Sequence, residues 1–326
     1  MHFCIMPEFF IYMDFLNFPL PVGVFIISFS ASLCAVTPTL CAARAVGAVD
    51  IPRDGRRMHK KATPRAGGLA VFFAFAVALL FYERGELSGV SGSILSGGAV
   101  MTALGFCDDV SPLPPRVKLA GQACAATIPL SFGIFMRDVS FFGFSLTLPR
   151  LFGLSFSFLW IVTLSNAINL IDGLDGLASG VSFFVLATLF ARCTVITKNA
   201  ETAVISAALA GAVAGFLPYN ARNAKIFLGD CGSLSLGYII AVLTLADGSS
   251  AYGKSFTPLA FLLMLAYPIT DTVMAVIRRA KSGSGIFCAD RKHIHHRLCD
   301  ALQSKEKAAT LLVCSTALLC AISLLV

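Results

Sequence analysis

The sequence predicts an all-α, polytopic integral membrane protein with about ten transmembrane helices. Three observations lead there. Of its 326 residues, 57% are hydrophobic and only 13% are charged, whereas a soluble domain carries roughly 25% charged residues. The mean hydropathy is +0.82, and one soluble core does not absorb that, because cores stop growing near about 250–300 residues. The 28 Phe against a single Trp suit helices that face lipid.

Ten stretches approach the roughly 20 apolar residues that a spanning helix needs. They are 18–44, 66–82, 91–107, 118–136, 152–171, 176–195, 201–219, 226–246, 257–279 and 308–326. The stretch 66–82 is short, and 226–246 begins with polar residues. Met1 to Phe15 has no Lys or Arg and carries Glu8 and Asp14, so a signal-peptide n-region is missing and the first stretch reads as a retained helix. Eleven cysteines, none in CxxC spacing, lie mostly in apolar runs. There Cys behaves as a small hydrophobe, and neither a disulfide framework nor a zinc site is expected. No repeat or low-complexity linker divides the chain, which reads as one membrane-embedded domain over 1–326.

Ten spans define two alternating sets of loops. Nineteen of the 25 Lys and Arg fall in or beside the set 45–65, 108–117, 166–175, 218–230 and 280–307, and 6 in the other. The positive-inside rule then places the first set in the cytoplasm and both termini outside. The basic charge is thereby read as membrane topology, and no nucleic-acid partner is expected.

The same five loops hold nearly all the unusual polar residues. The first runs from Arg56 to Gly68, with His59, Arg65, Gly67 and Gly68. Its cluster is either a topology signal that contacts anionic headgroups or a phosphate-binding loop whose glycines let backbone N–H groups approach an anion. The second opens on Asp108-Asp109, either a solvated loop start or a general base or indirect metal ligand. Lys118 and Gln122 follow on one helix face. In the third, Asn166, Asn169 and Asp172 recur every three residues and Asp175 continues the row. Four polar groups beside two spans exceed what capping requires. The fourth contains Asn220, Lys225 and Asp230, the last between glycines and suited to a metal ligand. The fifth contains Asp290, Arg291, His293, His295, His296 and Arg297, a set better suited to gripping phosphates than zinc. Buried Asp271 is either packing glue or support for the site. Oxygen donors, basic residues and glycines together fit Mg²⁺-dependent phosphoryl transfer, in which the ion takes one or two carboxylates plus substrate phosphates.

Asp108-Asp109, the run Asn166 to Gly180, Phe227-Leu228-Gly229-Asp230-Cys231-Gly232-Ser233-Leu234 and His293-Ile294-His295-His296-Arg297-Leu298 resemble the polyprenyl-phosphate N-acetylhexosamine-1-phosphate transferases, in the WecA/TagO-like branch of the MraY superfamily. The resemblance runs from Arg53 to Leu298 and includes Pro268, Asp271-Thr272 and Arg278-Arg279. It implies transfer of a sugar-1-phosphate from a UDP-amino sugar to a polyprenyl phosphate, with UMP released, at the cytoplasmic face of a bacterial inner membrane. It implies Mg²⁺, with Mn²⁺ as the alternative, held by Asp230 and Asn169. Asp108 and Asp109 match the proposed base, and Asp172 and Asp175 match the nucleotide side of the cleft. These four form the candidate catalytic set. His293, His295 and His296 match a loop near the sugar and diphosphate. The candidate substrate-binding set adds His59, Arg65, Gly67, Gly68, Lys118, Asn166, Asn220, Lys225, Asp290, Arg291 and Arg297. Ile294 interrupts the histidines, which favours UDP-GlcNAc over a UDP-MurNAc-pentapeptide donor. Cys231 stands where the family commonly has Ser or Thr, and Thr270 replaces a bulkier apolar residue. A homodimer is an admissible assembly. The competing expectation is a transporter of an anionic substrate, which needs polar groups along both halves of the bilayer rather than one.

Overall fold

In lipid a backbone N–H or C=O finds no water, so an apolar run satisfies its own polar groups by winding into a helix. The computed structural model of the protein describes residues 20–51, 62–141, 144–248, 255–282 and 293–326. Its helices are α1 (Leu20–Ala45), α2 (Gly67–Tyr82), α3 (Gly89–Val110), α4 (Pro115–Ser131), α5 (Arg150–Ile171), α6 (Leu177–Val195), α7 (Ala200–Asn220), α8 (Gly229–Asp247), α9 (Pro258–Met264), α10 (Ala266–Lys281), α11 (Ile294–Leu302) and α12 (Lys305–Ser323). Two antiparallel hairpins join them, β1 (Val49–Asp50) with β2 (Thr63–Pro64) and β3 (Asp138–Phe141) with β4 (Phe144–Thr147).

Each of the ten expected stretches contains helix, with 118–136 ending as one at Ser131, and the fold is a polytopic helical bundle. Among the described residues, seven helices (α1, α3, α5, α6, α7, α8 and α12) are long and apolar enough to cross a bilayer, or eight spans if α9 and α10 count as one. With 16 and 17 residues, α2 and α4 fall short of that length. The stretch 257–279, expected as one span, is broken, and its two helices meet at 85°. Pro268 accounts for the break. A proline ring clashes with the carbonyl four residues back and offers no N–H. That carbonyl belongs to Met264, where α9 ends, and it accepts from the Cys320 thiol at 3.8 Å.

The bundle is built around α8, which is buried from Cys231 to Asp247. A helix apolar on all sides belongs in the interior. It is flanked by α3 and α5, with α2, α6 and α7 completing its surroundings. The approach at its start is close. A Cβ on Gly68 of α2 would lie 2.1 Å from Gly232, and one on Gly105 of α3 would lie 2.3 Å from the carbonyl of Asp230. Gly105→Ala is therefore expected to destabilise the bundle by about 1–3 kcal/mol, the usual cost of overpacking. Thermal unfolding in detergent measures this, and an unchanged Tm would mean that α3 can draw back freely.

Opposite ends of the bundle differ in character. Leu40 and Arg44 of α1, Asp172 after α5, and Lys305 of α12 line one cavity. The far end is closed by a buried pair. Arg192 Nε lies 3.1 Å from Asp247 Oδ2, and the Thr197 hydroxyl and Cys193 thiol donate to Asp247 Oδ1 at 2.5 and 3.2 Å. Arg192 also donates to Thr257 Oγ1 at 3.0 Å, which ties in the start of α9.

Candidate active site

The first loop is fixed by the fourth. Arg65 N donates to the Ala48 carbonyl at 2.8 Å, and Phe227 N donates to the Pro64 carbonyl at 2.8 Å. This delivers the Arg65 guanidinium to the start of α8. The amides of Gly67 and Gly68 donate to the carbonyls of Phe227 and Leu228 at 2.9 and 2.8 Å. The expectation that these N–H groups receive an anion is corrected here: they are used in packing α2 against α8, where only a residue without Cβ fits.

Five charged side chains converge at the α8 start. Arg65 lies 3.3 Å from Asp109 through Nε and 3.4 Å from Asp230 through Nη2. Lys118 Nζ lies 3.2 Å from Asp108 Oδ2 and also pairs with Asp230 Oδ2. The two neighbouring aspartates have separate partners. Asp109 accepts from the backbone N–H groups of Asp230 and Cys231 at 2.9 and 3.1 Å, so it caps α8 from a neighbouring helix. Asp108 accepts from Leu113 N at 2.8 Å through one oxygen and meets Lys118 with the other.

The row from the third loop fans out over three neighbours. Asn166 exchanges hydrogen bonds with Gln122 of α4, at 2.6 and 3.2 Å. Asn169 Nδ2 donates to Ser233 Oγ of α8 at 2.9 Å, which leaves its carbonyl oxygen for a ligand. Asp172 follows the last turn of α5 and lines the cavity. Burial first, and then the charge of Asp230, push its carboxyl up to about 8. Asp175 accepts from Ala224 N at 3.0 Å, joining the third loop to the fourth. Asn220 is buried and engaged within the fold, accepting from Ser179 at 2.8 Å and donating to the Ile226 carbonyl at 3.2 Å. Lys225 is exposed over the Tyr219 ring.

The histidines enter on α11. Asp271 of α10 receives the Ile294 N–H on one oxygen and His293 Nδ1 on the other, both at 2.7 Å. It therefore caps α11 and sets the His293 ring, which favours the reading of site support. His295 packs on the turn after α5, where a Cβ on Gly173 would fall 2.4 Å from its Nε2. His296 lines the cavity and its ring lies 4.3 Å from that of His295. Arg297 is exposed. His59, Asp290 and Arg291 lie outside the described residues.

Burial first, and then the neighbouring His296, lower His295 to about 4. The unfolded chain therefore takes up this proton near pH 6.5, while the folded protein refuses it until about 4. Stability is expected to fall as pH drops from 6.5 to 4, by about 3 kcal/mol from this residue. His295→Gln should flatten that part of a Tm-against-pH curve, and an unaltered slope would count against the assignment.

These groups border a cavity of about 1660 Å³. Its polar wall includes Arg65, Asn169, Asp172, Asp175, Lys225 and Asp230, and its apolar wall includes Leu40, Phe183, Phe184, Leu217 and Val313. Sequence reasoning passed over Arg44, Asp50, Thr63 and Lys305, which line it too. Arg44 was legible as the one basic residue in the last turn of α1. Ser233, which orients Asn169, stood inside a quoted motif without a role.

A helical membrane bundle whose carboxylates, cations and amides converge on one amphiphilic cavity defines the class of membrane-embedded group-transfer enzymes. The sequence pattern of glycosyl transferase family 4 matches residues 91–247. A probable undecaprenyl-phosphate N-acetylglucosaminyl 1-phosphate transferase of Bacillus subtilis (strain 168) is 36% identical over 262 residues, covering 78% of this chain and 70% of the relative. A decaprenyl-phosphate N-acetylglucosaminephosphotransferase of Mycolicibacterium smegmatis is 34% identical over 295 residues, 82% and 72% of the two chains. A phospho-N-acetylmuramoyl-pentapeptide-transferase of Clostridium beijerinckii is 31% identical over 293 residues, 84% and 86%. The chain belongs to glycosyl transferase family 4.

Proposed function

We propose that this protein transfers N-acetylglucosamine-1-phosphate from its UDP-sugar to a polyprenyl phosphate such as undecaprenyl phosphate, releasing UMP and starting a cell-surface glycopolymer. The observation that carries the proposal is the cavity, which joins a charged wall for a diphosphate to an apolar wall for a lipid at one end of the bundle. A path for an anion across the bilayer needs polar groups along its whole length, whereas between Ser235 and Thr244 the buried body of α8 carries one, the Tyr238 hydroxyl, which is spent on the Ser93 carbonyl at 3.0 Å. The names of two relatives support the donor, and so does Ile294 between the histidines. The excess of basic residues on the loops at this end supports a cytoplasmic orientation in a bacterial inner membrane.

A divalent cation suits the donors present. Asp230, Asp172 and the Asn169 carbonyl line the same cavity, and all offer oxygen. Among the described residues no group of three His, Cys, Asp or Glu could hold an ion by itself; Mg²⁺ commonly takes one or two carboxylates and completes its shell with substrate phosphates. Mg²⁺ is the proposed ion, with Mn²⁺ as the alternative. Bound there, it would neutralise charge that develops on the diphosphate.

The chemistry is an in-line displacement. An oxygen of the lipid phosphate attacks the β-phosphorus of the UDP-sugar, a new P–O bond forms, and the bond to UMP breaks. Arg65 and Lys118 supply positive charge beside Asp230, and the fixed donors need no reorganisation as charge spreads over the phosphoryl oxygens. Asp108, held by Leu113 and Lys118, is the member of the aspartate pair that remains to position the acceptor. Asp109 holds α8. The test is UMP release by purified protein in detergent, with undecaprenyl phosphate and a panel of UDP-amino sugars. Release with UDP-GlcNAc and divalent cation is expected. No release with any donor would end the proposal.

A further inference from the structure

We propose that a second cavity, at the base of the β3–β4 hairpin, binds the phosphate of an anionic phospholipid in the leaflet opposite the catalytic end. The cavity holds about 450 Å³ and is lined by Phe135, Arg137, Thr147, Leu148, Pro149 and Arg150. Two cations converge there because the hairpin brings its ends together, with Leu148 N donating to the Arg137 carbonyl at 2.7 Å. Among the described residues, neither guanidinium has a carboxylate or hydrogen-bond partner. Asp138, next in the chain, is engaged inside the hairpin, where it accepts from Thr147 Oγ1 at 2.6 Å. Two like charges facing one cavity repel, and this pair keeps net positive charge that an anion relieves. Guanidinium groups pair with phosphate through two parallel hydrogen bonds, a geometry a single ammonium does not offer.

Depth and surroundings select a lipid over a free anion. Arg150 opens α5, whose other end reaches Asp172 at the catalytic cavity. Its 22 residues span about 33 Å, close to the hydrocarbon thickness of roughly 30 Å. Arg150 therefore stands at headgroup level of the far leaflet. Directly below it, Leu151 and Phe152 are 74% and 59% exposed, and on the hairpin Phe144 and Leu146 are 82% and 64% exposed. In a membrane Leu151 and Phe152 lie against acyl chains, with the arginines at the phosphate plane.

The test compares thermal stability in detergent after addition of phosphatidylglycerol, phosphatidylcholine or inorganic phosphate. Phosphatidylglycerol is expected to raise the Tm of the wild-type protein more than phosphatidylcholine does. The double variant Arg137→Gln/Arg150→Gln should lose that difference while releasing UMP at the wild-type rate. Both side chains are exposed, so folding of the variant is not at issue, and each single variant should lose part of the shift. The proposal fails if the wild type shows no preference for phosphatidylglycerol or if the double variant keeps it. It also fails if inorganic phosphate alone reproduces the shift.

Discussion

Asp230→Asn is expected to lower turnover by about 10²–10³-fold, the range seen when one preorganised charge-stabilising group is removed. The carboxylate is the shared partner of Arg65 and Lys118, which reach it from different loops. It is also the carboxylate at the start of α8 that lines the cavity with Asp172 and Asn169. An Asn of the same shape leaves the backbone N–H of residue 230 on Asp109, so α8 keeps its cap. What it removes is the negative charge that holds two cations together and that a divalent ion requires. The expected pattern is loss of UMP release together with loss of Mg²⁺ binding by calorimetry, at nearly unchanged Tm. Turnover within threefold of wild type would take Asp230 out of the mechanism.

The second large effect separates two adjacent residues. Asp109→Asn is expected to destabilise the protein by about 2–4 kcal/mol, from a buried amide left without an acceptor and a broken charge pair. The Asp109 side chain is fully buried, at 0% exposure, and both of its oxygens are engaged by α8 amides while Arg65 lies at 3.3 Å. Asparagine presents one oxygen and one NH₂, so one of the two amides meets a donor. Asp108→Asn retains the oxygen that accepts from Leu113, and its side chain is 14% exposed. Its Tm should move little while turnover falls. Paired unfolding and activity measurements would show this crossed pattern. Equal Tm values for the two variants would refute the division of roles.

Much of this was legible in the sequence, and the failures have identifiable causes. Length and apolarity located the apolar helices, because in lipid little competes with the helix for an uncharged run, but they missed α11, whose polar residues lay in the expected loop 280–307. They did not locate the break at Leu265. Pro268 was visible, but its effect falls on a carbonyl four residues earlier, and in membrane helices neighbours often repair such a gap. Asp138–Phe141 and Phe144–Thr147 passed for plain loop, since two strands of four residues carry too little alternation to stand out. In the site, residue types were informative and directions were not. Asn166 and Asn169 stand on α5 as expected, while Asp172 lies just past its last turn. Each three-residue step turns the side chain by about 60°, however, so the first meets α4, the second α8 and the third the cavity. Gly67-Gly68 carried the right signal of close approach with the wrong partner, because a glycine does not declare whether backbone or ligand will come near it. Asp271 became interpretable only once α11 was seen to start at its carboxylate.

The Arg192–Asp247 pair has a consequence for biogenesis. Arg192 lies in the last turn of α6, and Asp247 closes α8. Synthesis delivers the arginine about 55 residues before its partner. An unpaired charge of this kind costs roughly 2.5–3.5 kcal/mol at mid-membrane and less near the headgroups, where a long side chain can still reach water. Until the aspartate emerges, water or headgroups are the partners open to this guanidinium. Pairing with Asp247 removes that cost, so full burial of Arg192 is expected to wait for α8 and to be a joint event of the two helices rather than the sum of independent insertions.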